Sequence, residues 1–403
     1  MVIIKLIVLK TMTVKMIIFI FSKRMFPIFN VSFNYEPLKY NLSSNQIKYT
    51  FCDVVRKNYR DEHGKLDNGK TDQNKREFDK VFSQVIRYSN TFFLLPESIE
   101  KKTNLPYKIT NAWLKMFELC HLPEISGIIK NAKSELNMMF LAEFPGAFIH
   151  AMKYYIAKTR PIILTTNNWK WMGTSISSGL TDEYGLYKNY PENWILMDNS
   201  KSKEIDEKLS KYKDKFDIVT GDIGKPIENW LNIEEEMYYE DLGQFISAIM
   251  VLKKNGTAIL KMFTSFTEVT LCLLRLAISM FDKVRIIKPR TSKELNDEVY
   301  WILSGFKGYD AKKLLYLLDN ERQTFLDIDD FISQFFRLGN RYRIHLPLYV
   351  GKINSYILKF LNDPGLNIRK TIFRLENKRQ KDYMIEWLNT FPVFRLSENL
   401  TLF

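Results

Sequence analysis

The sequence predicts an α/β protein whose mostly parallel sheet closes on an antiparallel hairpin, flanked by an amino-terminal extension and a basic, mainly helical carboxyl-terminal region. Three observations carry this. From about residue 105, apolar runs of strand length alternate with helical stretches, the pattern of parallel strands joined by crossover helices. Two late β-rich runs, 283–288 and 298–306, are separated by Pro289 to Asp297, too short a link for a crossover helix, so they should be antiparallel neighbours. Of the 403 residues, 46% are apolar, which fills a core larger than one average domain.

Residues 1–104 form the extension. Met1 to Phe21 is apolar, but Lys5, Lys10 and Lys15 interrupt it, and a lysine at a bilayer centre costs roughly 2.5–3.5 kcal/mol, so no stable membrane insertion is expected. No small-residue cleavage site follows Phe21, and Met25 is an alternative start. The charged run Arg56 to Arg76 reads as an exposed loop or linker. The central unit, 105–309, begins with a strand at 137–142, a loop Glu143-Phe144-Pro145-Gly146-Ala147-Phe148 and a helix over 147–156. Further strands are expected at 170–176 and 216–222, the latter closing on Asp222. Apolar residues Leu242, Phe245, Ile246, Ile249 and Met250 have helical spacing over 240–252, and Asn255-Gly256 should stop that helix before a strand at 257–263. A nearly all-apolar helix at 267–281 leads into the hairpin.

Charge narrows the partners. Fifty-nine Lys and Arg against 46 Asp and Glu give +13, which favours anionic partners. Residues 331–403 hold twelve Lys and Arg against five Asp and Glu, a net +7 suited to a phosphate backbone or equally to a solvated helical face. Three scattered cysteines, Cys52, Cys120 and Cys272, offer neither a disulfide framework nor a thiolate zinc site, and point to a reducing, cytoplasmic setting. The four histidines lack metal-site spacing, so no metal is expected.

Two constellations carry chemistry. The loop 143–148 lies at the carboxyl end of the first central strand, where open α/β sheets bind ligands; Gly146 permits close backbone approach and the following helix should offer free N–H groups. Asp222, Lys261 and Glu298 each sit where burial would cost energy without a partner. A doubly wound sheet brings all three to one edge, as a structural ion pair or as a proton-handling site.

In their order, these segments resemble the FtsJ-like (RrmJ-type) RNA 2′-O-methyltransferases, and most of all the cap-specific mRNA enzymes, including those of large DNA viruses. The stretch W-L-K-M-F-E-L (113–119) is similar to the family's W-F-K-L-x-E-I, which supplies the first lysine of a K-D-K-E tetrad. L-A-E-F-P-G-A-F (141–148) resembles the D-L-x-x-x-P-G-G-F loop that holds S-adenosylmethionine, and F-D-I-V-T-G-D (216–222) the strand carrying the aspartate. Residues 257–263 resemble the strand of the second lysine, and 285–307 the closing hairpin with its glutamate. The resemblance spans about 110–308 and implies a Rossmann-like methyltransferase fold with catalytic residues Lys115, Asp222, Lys261 and Glu298. It implies cofactor contacts from Glu143, Phe144, Pro145, Gly146, Ala147 and Phe148, and from Asp198, which resembles the acid beside the adenine but reads equally as a turn or N-cap aspartate.

The chain departs from the pattern at Ala147, at Thr174-Ser175 where an acid is common, and at Ile223-Gly224 where Gly-Gly is usual. The activity implied is transfer of a methyl from S-adenosylmethionine to a ribose 2′-hydroxyl, with Lys261 stabilising the developing alkoxide or acting as base. The implied partners are RNA, capped mRNA first, and capping or transcription machinery; for a viral chain the setting is host cytoplasm or virion. An internal ribosomal or transfer RNA ribose, or a non-catalytic RNA-binding or scaffold role, are the alternatives. Trp169, Trp171, Tyr184, Tyr187 and Trp194 could supply planes for a cap purine, or simply core.

Overall fold

The computed structural model describes residues 29–34, 36, 74–132, 135–176, 181–228, 232–265, 267–326, 328, 331–332, 335, 351–397 and 400. Its strands in chain order are β1 (Phe29–Asn34), β2 (Leu136–Leu141), β3 (Trp169–Ser175), β4 (Trp194–Leu196), β5 (Phe216–Gly221), β6 (Leu252–Met262), β7 (Phe281–Lys288) and β8 (Val299–Phe306). Longer helices are α1 (Lys75–Ser89), α2 (Leu95–Thr103), α3 (Asn111–Cys120), α4 (Pro123–Asn131), α5 (Ala147–Thr159), α6 (Ser202–Leu209), α7 (Tyr238–Val251), α8 (Glu268–Met280) and α9 (Ile368–Thr390). One sheet holds all eight strands in the order β1-β7-β8-β6-β5-β2-β3-β4.

From β6 to β4 every pairing is parallel, and β8 inserts antiparallel between β6 and β7. The chain steps outward from β2 through β3 to β4, then returns to lay β5 against the other side of β2. The connections diverge there, which opens a crevice beyond the carboxyl ends of β2 and β5.

Two features differ from the expectations. The helix before β6 ends at Val251 and the strand starts at Leu252, so Asn255 and Gly256 lie inside the strand rather than ahead of it. Leu252 already pairs with Phe216, while the next partners are Ile218 and Thr257, so the extra residues bulge out. Asn255 takes φ 64, and a Cβ on Gly256 would stand 2.9 Å from the Lys253 carbonyl. The polar stretch before residue 105 also yields ordered elements. β1 pairs antiparallel with β7, and α1 buries Phe78, Val81 and Val85 at i, i+3 and i+7, an amphipathic stripe diluted by the surrounding charge. Of the run Arg56 to Arg76 only 74–76 lie among the described residues, and Lys75 and Arg76 open α1; the apolar segment 1–21 lies outside them.

Apolar side chains form a core on each face of the sheet. One gathers Phe33, Val81, Phe245, Trp301, Phe360 and Ile372; the other gathers Trp113, Phe117, Phe148, Tyr155, Tyr300 and Trp387. Helix α9 thus contributes to both, through Ile372 and Trp387. Among the described residues no helix is long and apolar enough to cross a membrane.

Candidate active site

Lys115 projects from α3, whose first turn is capped by Thr110 accepting from the Trp113 N–H at 3.2 Å. Every residue from Trp113 to Cys120 is buried, so the lysine is carried inside the protein. Its Nζ lies 2.6 Å from Glu298 Oε1, at the start of β8, and 5.7 Å from the Tyr300 ring centroid. Burial pushes the Glu298 carboxyl up, but Lys115 and Lys261 outweigh it and hold the pKa down at about 2.

Asp222 and Lys261 meet at the crevice mouth. The Asp222 N–H donates to the Leu141 carbonyl at 3.2 Å, which locks the end of β5 beside β2. Lys261 Nζ lies 3.1 Å from Asp222 Oδ1 and donates to the Asp222 carbonyl at 3.1 Å. Burial presses the Lys261 ammonium towards neutrality, yet Asp222 and Glu298 prevail and raise its pKa, so it stays charged. Lys261 faces Tyr300 across the β6–β8 ladder, and the Tyr300 hydroxyl donates to Asp222 Oδ1 at 3.5 Å. The structure therefore brings Lys115, Asp222, Lys261 and Glu298 into one partly buried group of two ion pairs around Tyr300.

The loop after β2 lies at the same edge. Gly146 has φ 116, and a Cβ there would stand 2.4 Å from Leu186 Cδ1, so only glycine makes this turn into α5. The expectation of free helix N–H groups needs correction: Glu143 Oε1 accepts from the Phe148 N–H at 2.5 Å, and the Ile149 N–H also bonds that carboxyl. Burial, then the nearby Asp222, push the Glu143 carboxyl well above the usual range. A cation beside Glu143 would offset that burial and ionise the carboxyl, so this acid next to the loop suits the ammonium of S-adenosylmethionine. Phe144 packs edge-on against Trp194, with centroids 5.6 Å apart, and Ala147 and Phe148 are buried in the first turn of α5. Asp198 lies just past β4, where its Oδ1 accepts from both the N–H and the hydroxyl of Ser200, at 2.9 and 2.7 Å, an Asx turn. Neighbouring Asn199 bonds Thr174 and Ser247, tying this corner to β3 and α7.

Of the five aromatic residues noted in the sequence, Trp169, Trp171 and Trp194 are buried, and Trp171 meets Trp194 nearly edge-on. Sequence reasoning missed the groups that hold the hairpin. Buried Glu118 on α3 accepts from the Arg290 and Thr291 N–H groups at 2.7 and 3.2 Å, and from Trp387 Nε1 at 3.5 Å. Fully buried Lys288 donates to the carbonyls of Asn296 and Glu298 at 2.7 and 3.0 Å. Burial, only partly opposed by the nearby Lys261, pushes the carboxyl of buried Asp241 on α7 well above the usual range. The E of W-L-K-M-F-E-L was a visible signal for Glu118. Nothing in the sequence marked its backbone partners.

A parallel sheet whose order reverses at its first central strand, with one antiparallel strand slotted in beside the last, is the Rossmann-like arrangement of methyltransferases. Residues 110–306 match the model of the FtsJ-like methyltransferase family, and this part of the chain is an FtsJ-like methyltransferase domain. The chain is 29% identical over 315 residues to an uncharacterized protein of Acanthamoeba polyphaga mimivirus, covering 72% of this chain and 38% of that one. It is 26% identical over 246 residues to a probable methyltransferase of African swine fever virus, covering 56% and 55%. It is 28% identical over 218 residues to the cap-specific mRNA (nucleoside-2′-O-)-methyltransferase 2 of Drosophila melanogaster, covering 49% and 30%. The chain therefore spans about half or less of the length of these relatives.

Proposed function

We propose that this chain methylates an RNA ribose 2′-hydroxyl close to an mRNA 5′ cap, with Lys115, Asp222, Lys261 and Glu298 as the catalytic set. The observation that supports this most is a charged, partly buried Lys261 beside the sheet's switch point, 3.1 Å from Asp222 and within the field of Glu298. The cap-specific name of the Drosophila relative supports the substrate. S-adenosylmethionine is the cofactor, and when bound it supplies an already activated sulfonium methyl.

The chain's own residues must then orient a weak nucleophile and manage its charge. Lys261 is raised rather than lowered in pKa, so it acts as a fixed ammonium facing the oxygen as negative charge develops, and the hydroxyl proton passes to solvent water at the crevice mouth as the oxygen takes the methyl. Asp222 anchors that ammonium and accepts hydrogen bonds at the reacting edge. Lys115 and Glu298 fix the far side, where the Lys115–Glu298 pair keeps Glu298 ionised beside Lys261. Glu143 and the loop to Phe148 border the cofactor's position, and Asp198 borders its adenosine side.

A second reading, methylation of an internal ribose in ribosomal or transfer RNA, draws on the burial of Trp169, Trp171 and Trp194, which leaves only Tyr184 and Tyr187 of the five as planes for a cap. Labelled S-adenosylmethionine with matched capped and uncapped short RNAs tests both. Label at a cap-proximal ribose of capped RNA alone is the expected result. Label in uncapped RNA as well would move the assignment to internal sites, and label in neither would favour a non-catalytic role.

A further inference from the structure

We infer that the groove between α1 and the start of α9 is a docking site for single-stranded RNA, holding the sugar–phosphate chain that extends beyond the nucleotide at the candidate active site; this rests on the RNA reading above. The groove encloses about 1030 Å³ and lies outside the matched segment 110–306. Arg76, Lys80 and Arg87 line it from one face of α1, at i, i+4 and i+11, and Arg369 faces them from the first turn of α9. All four are exposed, and among the described residues none forms an ion pair. Glu77 is the one acid in the lining. Half-buried Tyr88 adds part of one ring beside Arg87, while Phe360 is buried beneath as the floor. Four exposed cations around a concave channel, with one ring at its side, suit the phosphates of a single strand. A membrane surface, being broad and flat, does not fit into such a channel.

Helix α9 connects the groove to the catalytic edge. From Arg369 to Glu386 it rises about 26 Å. At its far end Glu386 pairs with Arg290 at 3.1 Å and Trp387 reaches Glu118, so the helix touches the hairpin that carries Glu298. Along its outer side Lys370, Arg374, Lys378 and Lys381 fall within an arc of about 80°, at 100° per residue. All are exposed, and none has an ion-pair partner among the described residues. They lie on the side of the helix away from Ile372, Gln380 and Trp387, and add positive charge on an element the family match does not include.

The test compares RNA of about five nucleotides with RNA of about twenty, since the longer one exceeds a typical single-strand site. Fluorescence anisotropy is read against salt for the full chain and for its R76A/K80A/R87A variant, whose three changes are all exposed. For the natural chain the salt slope should be steeper with the longer RNA. The variant should lose about 2 from that slope, at roughly 0.7 per phosphate contact, and bind the longer RNA on the order of tenfold or more weaker at physiological salt. Its affinity for the short RNA and its turnover on short RNA should not change. Equal weakening for both lengths, unchanged binding of the longer RNA, or a loss confined to phosphatidylserine vesicles would overturn the inference. If no RNA accepts a methyl but the length effect and its loss remain, the proposed reaction fails while the groove stands.

Discussion

At Lys261 the balance of two opposed effects decides the chemistry. Burial alone would favour a neutral amine able to take a proton, but Asp222 and Glu298 reverse the direction, leaving an ammonium, which the proposed reaction sets against developing negative charge. Lys261→Ala should therefore lower methyl transfer by about 10²–10⁴, the usual worth of a positioned proton-handling or charge-stabilising group, while S-adenosylmethionine binding measured by equilibrium dialysis is retained. Retained turnover would remove Lys261 from the mechanism. Glu298 gives a second test. Its folded pKa of about 2 lies below the ordinary 4.5, so its contribution to stability is complete above pH 4.5 and is lost as pH falls from there towards 2. Urea midpoints of the natural chain and Glu298→Gln should differ most at neutral pH and converge as pH falls from 4.5 towards 2. A gap that stays constant with pH would mean that the carboxyl is not held ionised by Lys115 and Lys261.

At the scale of elements, what the sequence reveals follows from how each element is stabilised. The strands β2, β3 and β5 to β8 and the helices α5, α7 and α8 are legible because apolar periodicity marks burial directly, whereas three-residue β4 and charged α6 carry too few apolar positions to show. The antiparallel hairpin is legible because Pro289 to Asp297 cannot house a crossover. That Lys115 and Glu298, 183 positions apart, share a 2.6 Å contact shows only through the family resemblance, since a lysine inside an apolar helix names no partner. The grip on the hairpin is invisible because Glu118 and Lys288 hold backbone N–H and carbonyl groups, which every residue possesses. Lys288 makes this grip testable. Burial, opposed by Glu298 and reinforced by Lys115, lowers its pKa from 10.5 to about 7. Between those values the unfolded chain binds a proton that the folded chain lacks, so stability gains with rising pH across that window. Relative to Lys288→Met, the natural chain should gain in urea midpoint from pH 7 to 9.5. A difference that does not change with pH would show that the ammonium stays charged within its cage of acceptors.

For the whole molecule, α9 is the element that makes one structure of the flanking segments and the methyltransferase domain. Its amino-terminal half packs on α1, where Gln380 donates to the Tyr88 and Asn90 carbonyls, and Arg379 to Thr91. Thr91 in turn donates to Glu294 in the hairpin link at 2.7 Å. At the other end Trp387 is fully buried against Phe117 and Phe391, with its indole N–H directed at Glu118. Residues before 105 and after 310 thus converge on the loop that presents Glu298. Trp387→Ala removes a large buried side chain and leaves Glu118 with one donor fewer, so it should cost about 3–5 kcal/mol, read from urea unfolding. Because the same indole steadies the hairpin loop through Glu118, turnover should fall even under conditions where the variant remains folded, while Trp387→Phe recovers most of the stability but less of the activity. Equal recovery of both by phenylalanine would reduce Trp387 to core filling and separate α9 from the placement of Glu298.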